Sequence, residues 1–373
     1  MTTPLAELTT LRVGATPREL IVARTRAELI AAAFEAWDDE RWYLLGGGSN
    51  TLAGDEPFDG TVVLIRTSGV EVHENGTERR LIVQAGHNWE DLVAMAVQQG
   101  WAGIEALSGI PGTVGAAPVQ NIGAYGQEVA ETITGVEFLD SATGDIVWLR
   151  PAELGFGYRA SALKPANGAA ELAGVVLAVE FTLQDTAGQS LPIHSTQLAA
   201  ALGVADGERV GLGQLRESVL ALRARKGMVL DPADPDTASA GSFFLNPIVS
   251  ARAVGHIPAD APRYAVEVDT PPLVVPLSEL AHSSAQLDAP FADEPRQVKL
   301  SAAWLIEHAG VTKGFALPGS RAAVSSKHSL AITNRGGATA EQIAELAQFI
   351  QSRVSAEFGV WLEPEPVWLN VER

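Results

Sequence analysis

The chain of 373 residues contains no cysteine. Disulfides, thiolate nucleophiles, zinc–thiolate sites and iron–sulfur clusters are therefore excluded, and any redox chemistry needs a bound cofactor. Apolar runs that approach the roughly 20 residues of a membrane span are missing, and residues 1–12 lack the basic and apolar segments of a signal peptide. We expect a cytoplasmic protein without membrane insertion, and no metal site is readable.

Basic residues are also scarce, with 26 Lys and Arg against 45 Asp and Glu, which gives a formal net charge of −19. This excess disfavours nucleic acid or an anionic membrane as the main partner. Any anionic ligand must be met by local cations or by backbone N–H groups. The length allows two or three domains with a substantial core, and without an interface signal we expect a monomer.

Periodicity predicts alternating strands and helices in the first half and a helical C-terminal third. Thr25 and Glu28 form a capping box, Asn88 caps a second helix that ends at Gly100, and Gly359 ends the longest helix. The predicted helices cover residues 25–37, 88–100, 214–226, 302–308 and 339–358. The predicted strands cover 19–23, 41–45, 61–66, 81–84, 175–183 and 330–333, with a hairpin of 136–139 and 146–149 and an extended run over 360–371.

Two glycine-rich segments are candidate ligand loops. The first, residues 46–50 (GGGSN), follows a strand and exposes successive backbone N–H groups, as a loop does that holds a pyrophosphate without lysine. It lacks the ending of a P-loop and the spacing of a Rossmann fingerprint, so a plain tight turn is its alternative. The second, residues 108–126, carries almost no charge and few bulky side chains, so a flat ligand can approach its backbone.

Three side chains are candidates for chemistry. Ser242 lies in the segment 241–247 (GSFFLNP), where a hydroxyl walled by phenylalanines can act as a proton donor or as a hydrogen-bonding group in a core strand. Arg159, among small and apolar residues, can clamp a carboxylate or lie on the surface. Glu365, like its neighbour Glu363, can hold a proton near a pocket or be solvated.

Taken in order, these motifs resemble the UDP-N-acetylenolpyruvoylglucosamine reductase (MurB) family along nearly the whole chain. The resemblance implies an α+β protein with an FAD-binding fold of the vanillyl-alcohol-oxidase (PCMH-type) kind in two subdomains, plus a C-terminal substrate-binding α+β domain. The first subdomain would cover residues 1–70 with the C-terminal strand 360–373, the second 71–230, and the substrate domain 231–350, with the boundary in the acidic stretch 231–236.

The resemblance also implies FAD, NADPH and UDP-N-acetylglucosamine enolpyruvate as ligands, in cell-wall peptidoglycan synthesis. Ser242 would be the proton donor, and Arg159 and Glu365 would steady the charge on the substrate carboxylate; of the two glutamates the resemblance favours the second. The implied FAD-binding residues are Gly46, Gly47, Gly48, Ser49, Asn50, Ser108, Gly109, Ile110, Pro111, Gly112, Gly115, Ala116, Asn121, Gly123, Ala124 and Tyr125. The implied substrate-binding residues are Tyr158, Lys226, Asn246, Lys313 and His328.

The sequence departs from the family pattern at two places. Ser195, beside His194, stands where a substrate-loop tyrosine is usual, and Pro366 follows Glu365 where valine is usual. Two other hypotheses are an FAD oxidase of the same fold and a catalytically silent binding protein. The oxidase hypothesis leaves Ser242 unexplained, and the flavin loops lack a His or Cys for the covalent flavin attachment that is frequent in such oxidases. The hypothesis of a silent binding protein does not explain why Arg159, Ser242 and Glu365 occur together.

Overall fold

The computed structural model describes residues 3–165, 170–250, 254–255, 257–265 and 297–372. Its α-helices are α1 (Arg26–Trp37), α2 (Trp89–Gln99), α3 (Pro151–Leu154), α4 (Thr196–Leu202), α5 (Leu212–Arg225), α6 (Ala302–His308) and α7 (Ala340–Phe358). Its strands are β1 (Pro17–Ala23), β2 (Trp42–Leu45), β3 (Thr51–Ala53), β4 (Phe58–Ile65), β5 (Val70–Asn75), β6 (Glu78–Gln84), β7 (Trp101–Ala102), β8 (Gly123–Ala124), β9 (Gln127–Glu128), β10 (Ile133–Asp140), β11 (Ile146–Leu149), β12 (Gly174–Asp185), β13 (Ile248–Ser250), β14 (Arg263–Ala265), β15 (Gln297–Leu300), β16 (Ala322–Val324), β17 (Ile332–Asn334) and β18 (Val367–Leu369).

The N-terminal sheet is parallel, with β4 between β1 and β2. Helix α1 begins at the predicted capping box, in which the Thr25 hydroxyl accepts from Glu28 N and the Glu28 side chain accepts from Thr25 N. The helix buries Leu29 and three alanines against the sheet. Because β2 runs directly into the glycine loop 46–50, this sheet presents that loop at its carboxyl edge.

The second sheet is antiparallel, in the order β11-β10-β12-β6-β5, with β7 beside β12. The predicted hairpin is confirmed as β10 and β11, with Val136 opposite Leu149. Helix α2 begins at Asn88, whose side chain accepts from Asp91 N, and ends at a left-handed Gly100. Its Trp89 is buried with apolar residues of both sheets in one core, so the two sheets and the helices α1 and α2 are packed together.

The C-terminal part has its own core, which includes Phe243 and Phe244 and in which α7 packs on β16, β17 and α6. Leu11 and Leu52, from the N-terminal end of the chain, also belong to this core. Strand β18 returns to pair in parallel with β3, with Trp368 opposite Leu52. The C-terminal strand thereby lies next to the segment that follows the first glycine loop.

Most predicted elements are confirmed with their ends shifted by a few residues. Thr339 caps α7 and a left-handed Gly359 ends it, as expected from the sequence. The prediction missed β3, β5, β7 to β9, β13 to β16, α3 and α4. Apart from β5, most of these elements are too short to show a periodicity. Within the described ranges, no helix combines the length and the apolar character needed to cross a membrane. The domain boundaries stay a prediction.

We expect Leu346→Ala in α7 to lower the free energy of unfolding by about 2–5 kcal/mol, because Leu346 is fully buried in the C-terminal core. Gln348→Ala, two residues on at an exposed position of the same helix, is the matched control and should change stability by less than about 0.5 kcal/mol. Urea unfolding followed by circular dichroism measures both; equal losses would show that the helix is not packed as described.

Candidate functional site

The two glycine loops meet backbone to backbone. A Cβ atom placed on Gly47 would lie 2.6 Å from the Cα of Gly112, which itself has φ +133°. The Ser49 hydroxyl donates to the carbonyl of Pro111 at 2.9 Å. Gly47 is needed because a side chain there would push the second loop away, and Gly112 is needed for its backbone conformation.

Two cavities, of about 470 and 360 Å³, lie along this junction and share Gly47 and residues 110–113 as walls. Backbone and small side chains therefore form one continuous groove. Of the predicted FAD residues, those that line it are Gly46, Gly47, Gly48, Ser49, Asn50, Gly109, Ile110, Pro111, Gly112, Ala116 and Gly123.

The other predicted FAD residues lie behind the groove wall. Gly115 packs on Ala85, with a built Cβ only 2.6 Å from the Cβ of that residue. The buried Asn121 donates to Glu128 Oε2 at 2.7 Å and accepts from Ala130 N at 3.1 Å. Tyr125 packs beside α4 and α5. Five of the predicted FAD residues line neither cavity: Ser108, Gly115, Asn121, Ala124 and Tyr125. A direct role for them in FAD binding stays a prediction.

Arg66 and Arg223 are groove residues that the sequence reasoning missed. Arg66 donates to the carbonyl of Gly46 at 2.9 Å, and burial lowers its pKa. Arg223 lines the smaller cavity; burial lowers its pKa, and its Nε has no hydrogen-bond partner among the described residues. Two buried cations beside the groove can compensate an anionic ligand. Neither lies in a motif, so only the packing reveals them.

Arg159 and Glu365 form an ion pair in the wall of the smaller cavity, with 3.4 Å between Nε and Oε1. The Arg159 guanidinium also donates to the carbonyls of Asn121 at 3.1 Å and Gly123 at 2.6 Å. These bonds aim the guanidinium at the end of the second glycine loop. The structure thus brings together two of the three residues that the sequence singled out for chemistry.

Ser242 lines the same cavity as this ion pair. Its neighbour Phe243 is buried, and the Phe243 carbonyl accepts from Glu365 N at 2.9 Å. Asn50 Nδ2 donates to the Glu365 carbonyl at 3.2 Å. The first glycine loop, the serine segment and the C-terminal segment are therefore joined by hydrogen bonds around Glu365, and the three candidate side chains share one cavity.

The Glu365 side chain is 13 % exposed, whereas Glu363 is exposed at the surface. Burial raises the pKa of the Glu365 carboxyl, against the opposing charges of Arg159 and Lys164. A carboxyl whose pKa is raised in this way can hold or exchange a proton near neutral pH more readily than a solvated glutamate.

Tyr158 and Asn246 lie next to this cluster. The Tyr158 hydroxyl hydrogen-bonds with Asn246, and burial raises its pKa. Asn246 also accepts from Ala302 N at 3.0 Å, at the start of α6. Lys299, which the sequence reasoning also missed, places Nζ 4.5 Å from the centre of the Tyr158 ring. These contacts connect the arginine turn to the C-terminal part of the chain.

Lys226, Lys313 and His328 form a second polar cluster. Burial, together with the charges of Lys226 and Lys313, lowers the pKa of His328 to about 4. Lys226 Nζ lies 5.7 Å from the centre of the Tyr125 ring. This cluster concentrates positive charge in a protein of net charge −19.

The stretch that departs from the family pattern has a structural role. Ser195 caps α4 by accepting from Leu198 N. His194 is 69 % exposed and lies 3.3 Å from Asp206. Among the described residues, no group of three or more His, Asp or Glu is arranged to hold a metal ion.

The groove fits FAD in its chemistry. Its walls allow close approach to a glycine-rich backbone, and Arg66 and Arg223 supply partly buried positive charge for a pyrophosphate. Ser242, Arg159 and Glu365 line the smaller of the two cavities.

Comparison with known families finds one matching family model in the C-terminal part of the chain and one in the N-terminal part. A family model described as UDP-N-acetylenolpyruvoylglucosamine reductase, C-terminal domain, matches residues 232–369. A second family model, described as an FAD binding domain, matches residues 17–150.

Similar proteins carry the same description over their whole length. UDP-N-acetylenolpyruvoylglucosamine reductase of Leifsonia xyli is 56% identical over 100% of both chains. That of Mycobacterium tuberculosis is 44% identical, over 98% of this chain and 94% of the relative. The crystal structure of the Thermus caldophilus enzyme superposes with a TM-score of 0.61 and 25% identity, covering 98% of this chain and 97% of that one.

We expect Gly47→Ala to weaken FAD binding by about tenfold or more, because the new methyl group meets the Gly112 backbone and must separate the loops. Gly213→Ala, on the exposed first turn of α5 with open space around a built Cβ, is the matched control. Fluorescence titration of the apoproteins with FAD measures both affinities; an unchanged affinity for Gly47→Ala would show that the loops can separate freely.

Acid should destabilise the fold through His328. Its pKa falls from 6.5 to about 4 on folding, so the unfolded chain takes up this proton first and stability is lost as pH falls from about 6.5 to about 4. In urea unfolding, His328→Gln should lose less stability than wild type over that window, and His194→Gln serves as the control for the substitution. If the free energy of unfolding falls with pH equally steeply in His328→Gln and in wild type, His328 is not the group responsible.

Proposed function

Because the chain belongs to the UDP-N-acetylenolpyruvoylglucosamine reductase (MurB) family, we propose that it reduces UDP-N-acetylglucosamine enolpyruvate to UDP-N-acetylmuramate at the expense of NADPH. The resemblance drawn from the motifs is confirmed by full-length relatives of 56% identity, and the α+β fold class with its FAD-binding domain is confirmed as well. The observation that carries the proposal is that Arg159, Ser242 and Glu365 line one cavity together with both glycine loops.

FAD would be held by the two glycine loops, which line the groove, and by the charges of Arg66 and Arg223. When bound, FAD accepts a hydride from NADPH and supplies one from N5 to the enolpyruvyl carbon farther from the carboxylate. Because NADPH and the nucleotide sugar both need the same ring face, they would occupy the cavity in turn.

Arg159 and Glu365 would act on the substrate carboxylate. As the terminal carbon gains a hydride, negative charge spreads from the neighbouring carbon into the carboxylate. A guanidinium fixed by the carbonyls of Asn121 and Gly123 is a preorganised donor for that charge. The mostly buried Glu365, which is paired with Arg159 and whose pKa burial raises, would take up a proton more readily than a solvated carboxyl when the substrate carboxylate binds beside it.

Ser242 would complete the reduction by giving its hydroxyl proton to the carbon next to the carboxylate. The backbone bonds of Phe243 to Leu330 and Glu365 hold the serine segment in place. A serine hydroxyl is a weak acid, so the proton transfer depends on the basicity of the forming carbanion and on nearby positive charge.

The nucleotide sugar would extend from this point towards the C-terminal part of the chain. Tyr158 and Asn246 lie beside the carboxylate site, and Lys226, Lys313 and His328 would meet the diphosphate. Residues 231–350 would then form the substrate domain over the groove. A nucleotide-sugar substrate of peptidoglycan synthesis implies a cytoplasmic enzyme, and we propose that it acts as a monomer.

We expect Ser242→Ala to lower turnover by several orders of magnitude while NADPH still reduces the flavin at nearly the wild-type rate, since only the proton transfer is removed. Anaerobic stopped-flow absorbance separates the two half-reactions. Ser320→Ala, a substitution of a serine outside the groove, is the control and should keep both rates. Full reoxidation of reduced Ser242→Ala by the nucleotide sugar at the wild-type rate would remove Ser242 from the mechanism.

A further inference from the structure

Lys164 makes a contact that neither the motifs nor the proposed roles explain. Its Nζ donates to the carbonyl of Arg159 at 2.9 Å, and its side chain lines the same cavity as Ser242 and Glu365. Burial lowers the pKa of this lysine, and the charge of Glu365 acts against that effect. A half-buried ammonium is held here only because it has an acceptor and an opposite charge beside it.

The carbonyl that Lys164 binds belongs to a strained turn. Gly157 and Ala160 exchange backbone hydrogen bonds of 3.0 and 3.2 Å across the turn, and Arg159 inside it has φ +52°. A residue with a side chain seldom adopts this left-handed conformation unless surrounding bonds hold it. The bond from Lys164 fixes the peptide that follows Arg159, and so fixes the direction in which the guanidinium leaves the backbone.

Lys164 also sets the charge balance around Glu365. The charges of Arg159 and Lys164 act on Glu365. Those of Glu365, Glu363 and Arg159 act on Lys164. Arg159 and Glu365 also act on Tyr158. Without Lys164, the Glu365 carboxyl would face the guanidinium of Arg159 as its single close cation among the described residues.

We propose that Lys164 is a positioning residue of the active site, which holds the Arg159 turn in its left-handed conformation and supplies the second positive charge that balances Glu365. The inference rests on the proposed function for its catalytic consequence, but its structural part concerns this chain alone. Lys164 is not proposed to touch the reacting atoms.

The test is Lys164→Met, which keeps the length of the side chain and removes both the donor and the charge. Loss of a nearby cation disfavours the carboxylate, so the Glu365 pKa should rise further. Carbon-13 NMR of glutamate-labelled protein follows that titration, with the Glu365 signal assigned by its disappearance in Glu365→Gln. We also expect kcat to fall by roughly 10-fold to 100-fold, the range of one hydrogen bond to a charged group, with FAD content unchanged.

Lys164→Arg is the matched variant, because it restores the charge and a donor. It should return the Glu365 titration towards that of wild type and recover part of kcat. If Lys164→Met does not fold, Lys164→Gln replaces it as the uncharged variant. An unmoved Glu365 titration in the uncharged variant overturns the proposal, and so does a shift of the same size in Lys164→Arg.

The two proposals fail in different ways. If the reduced wild-type protein is not reoxidised by the nucleotide sugar, the proposed function fails, while the NMR titration still decides the role of Lys164. If the wild type turns over and the uncharged variant does so equally fast with an unmoved Glu365 titration, the role of Lys164 alone is refuted.

Discussion

The close approach of Gly47 and Gly112 is the constraint on which the rest of the site depends. Because no side chain separates the loops, the parallel sheet that carries the first loop and the core that carries the second share one groove. Ser49 ties the loops together through Pro111. Arg66 reaches the same junction through the carbonyl of Gly46. A bulkier residue at position 47 would separate the walls that have to hold a flat, anionic cofactor, and one at position 112 would strain the backbone of the second loop.

At one end of the groove, segments distant in sequence are held by backbone hydrogen bonds. The Glu365 N–H donates to the Phe243 carbonyl, the Glu365 carbonyl accepts from the side-chain amide of Asn50, and β18 pairs with β3. This framework leaves the Glu365 side chain available to the cavity, because Glu365 makes these joints with its main-chain groups. The ion pair with Arg159 then connects the framework to the turn at residues 157–160 and gives the cavity a paired charge.

The sequence could predict what is encoded locally. The capping box at Thr25, the cap at Asn88 and the stop at Gly359 appear in the structure as expected, since each is set by residues within one turn. Arg66, Arg223 and Lys164 could not be predicted, because their importance comes from partial burial and from their place in the cavity walls. Ser49 and Asn121 show a further limit: their side-chain donors bind Pro111 and Glu128 in the structure, partners that the motifs do not reveal.

In the proposed mechanism one cavity serves NADPH and the nucleotide sugar in turn, and an anaerobic visible spectrum tests this most directly. The FAD-loaded protein is reduced with NADPH, the excess is removed, and UDP-N-acetylglucosamine enolpyruvate is added. We predict that the flavin bands disappear in the first step and return in the second, with UDP-N-acetylmuramate as the product. Bands that bleach with NADPH but never return on adding the nucleotide sugar would contradict the account.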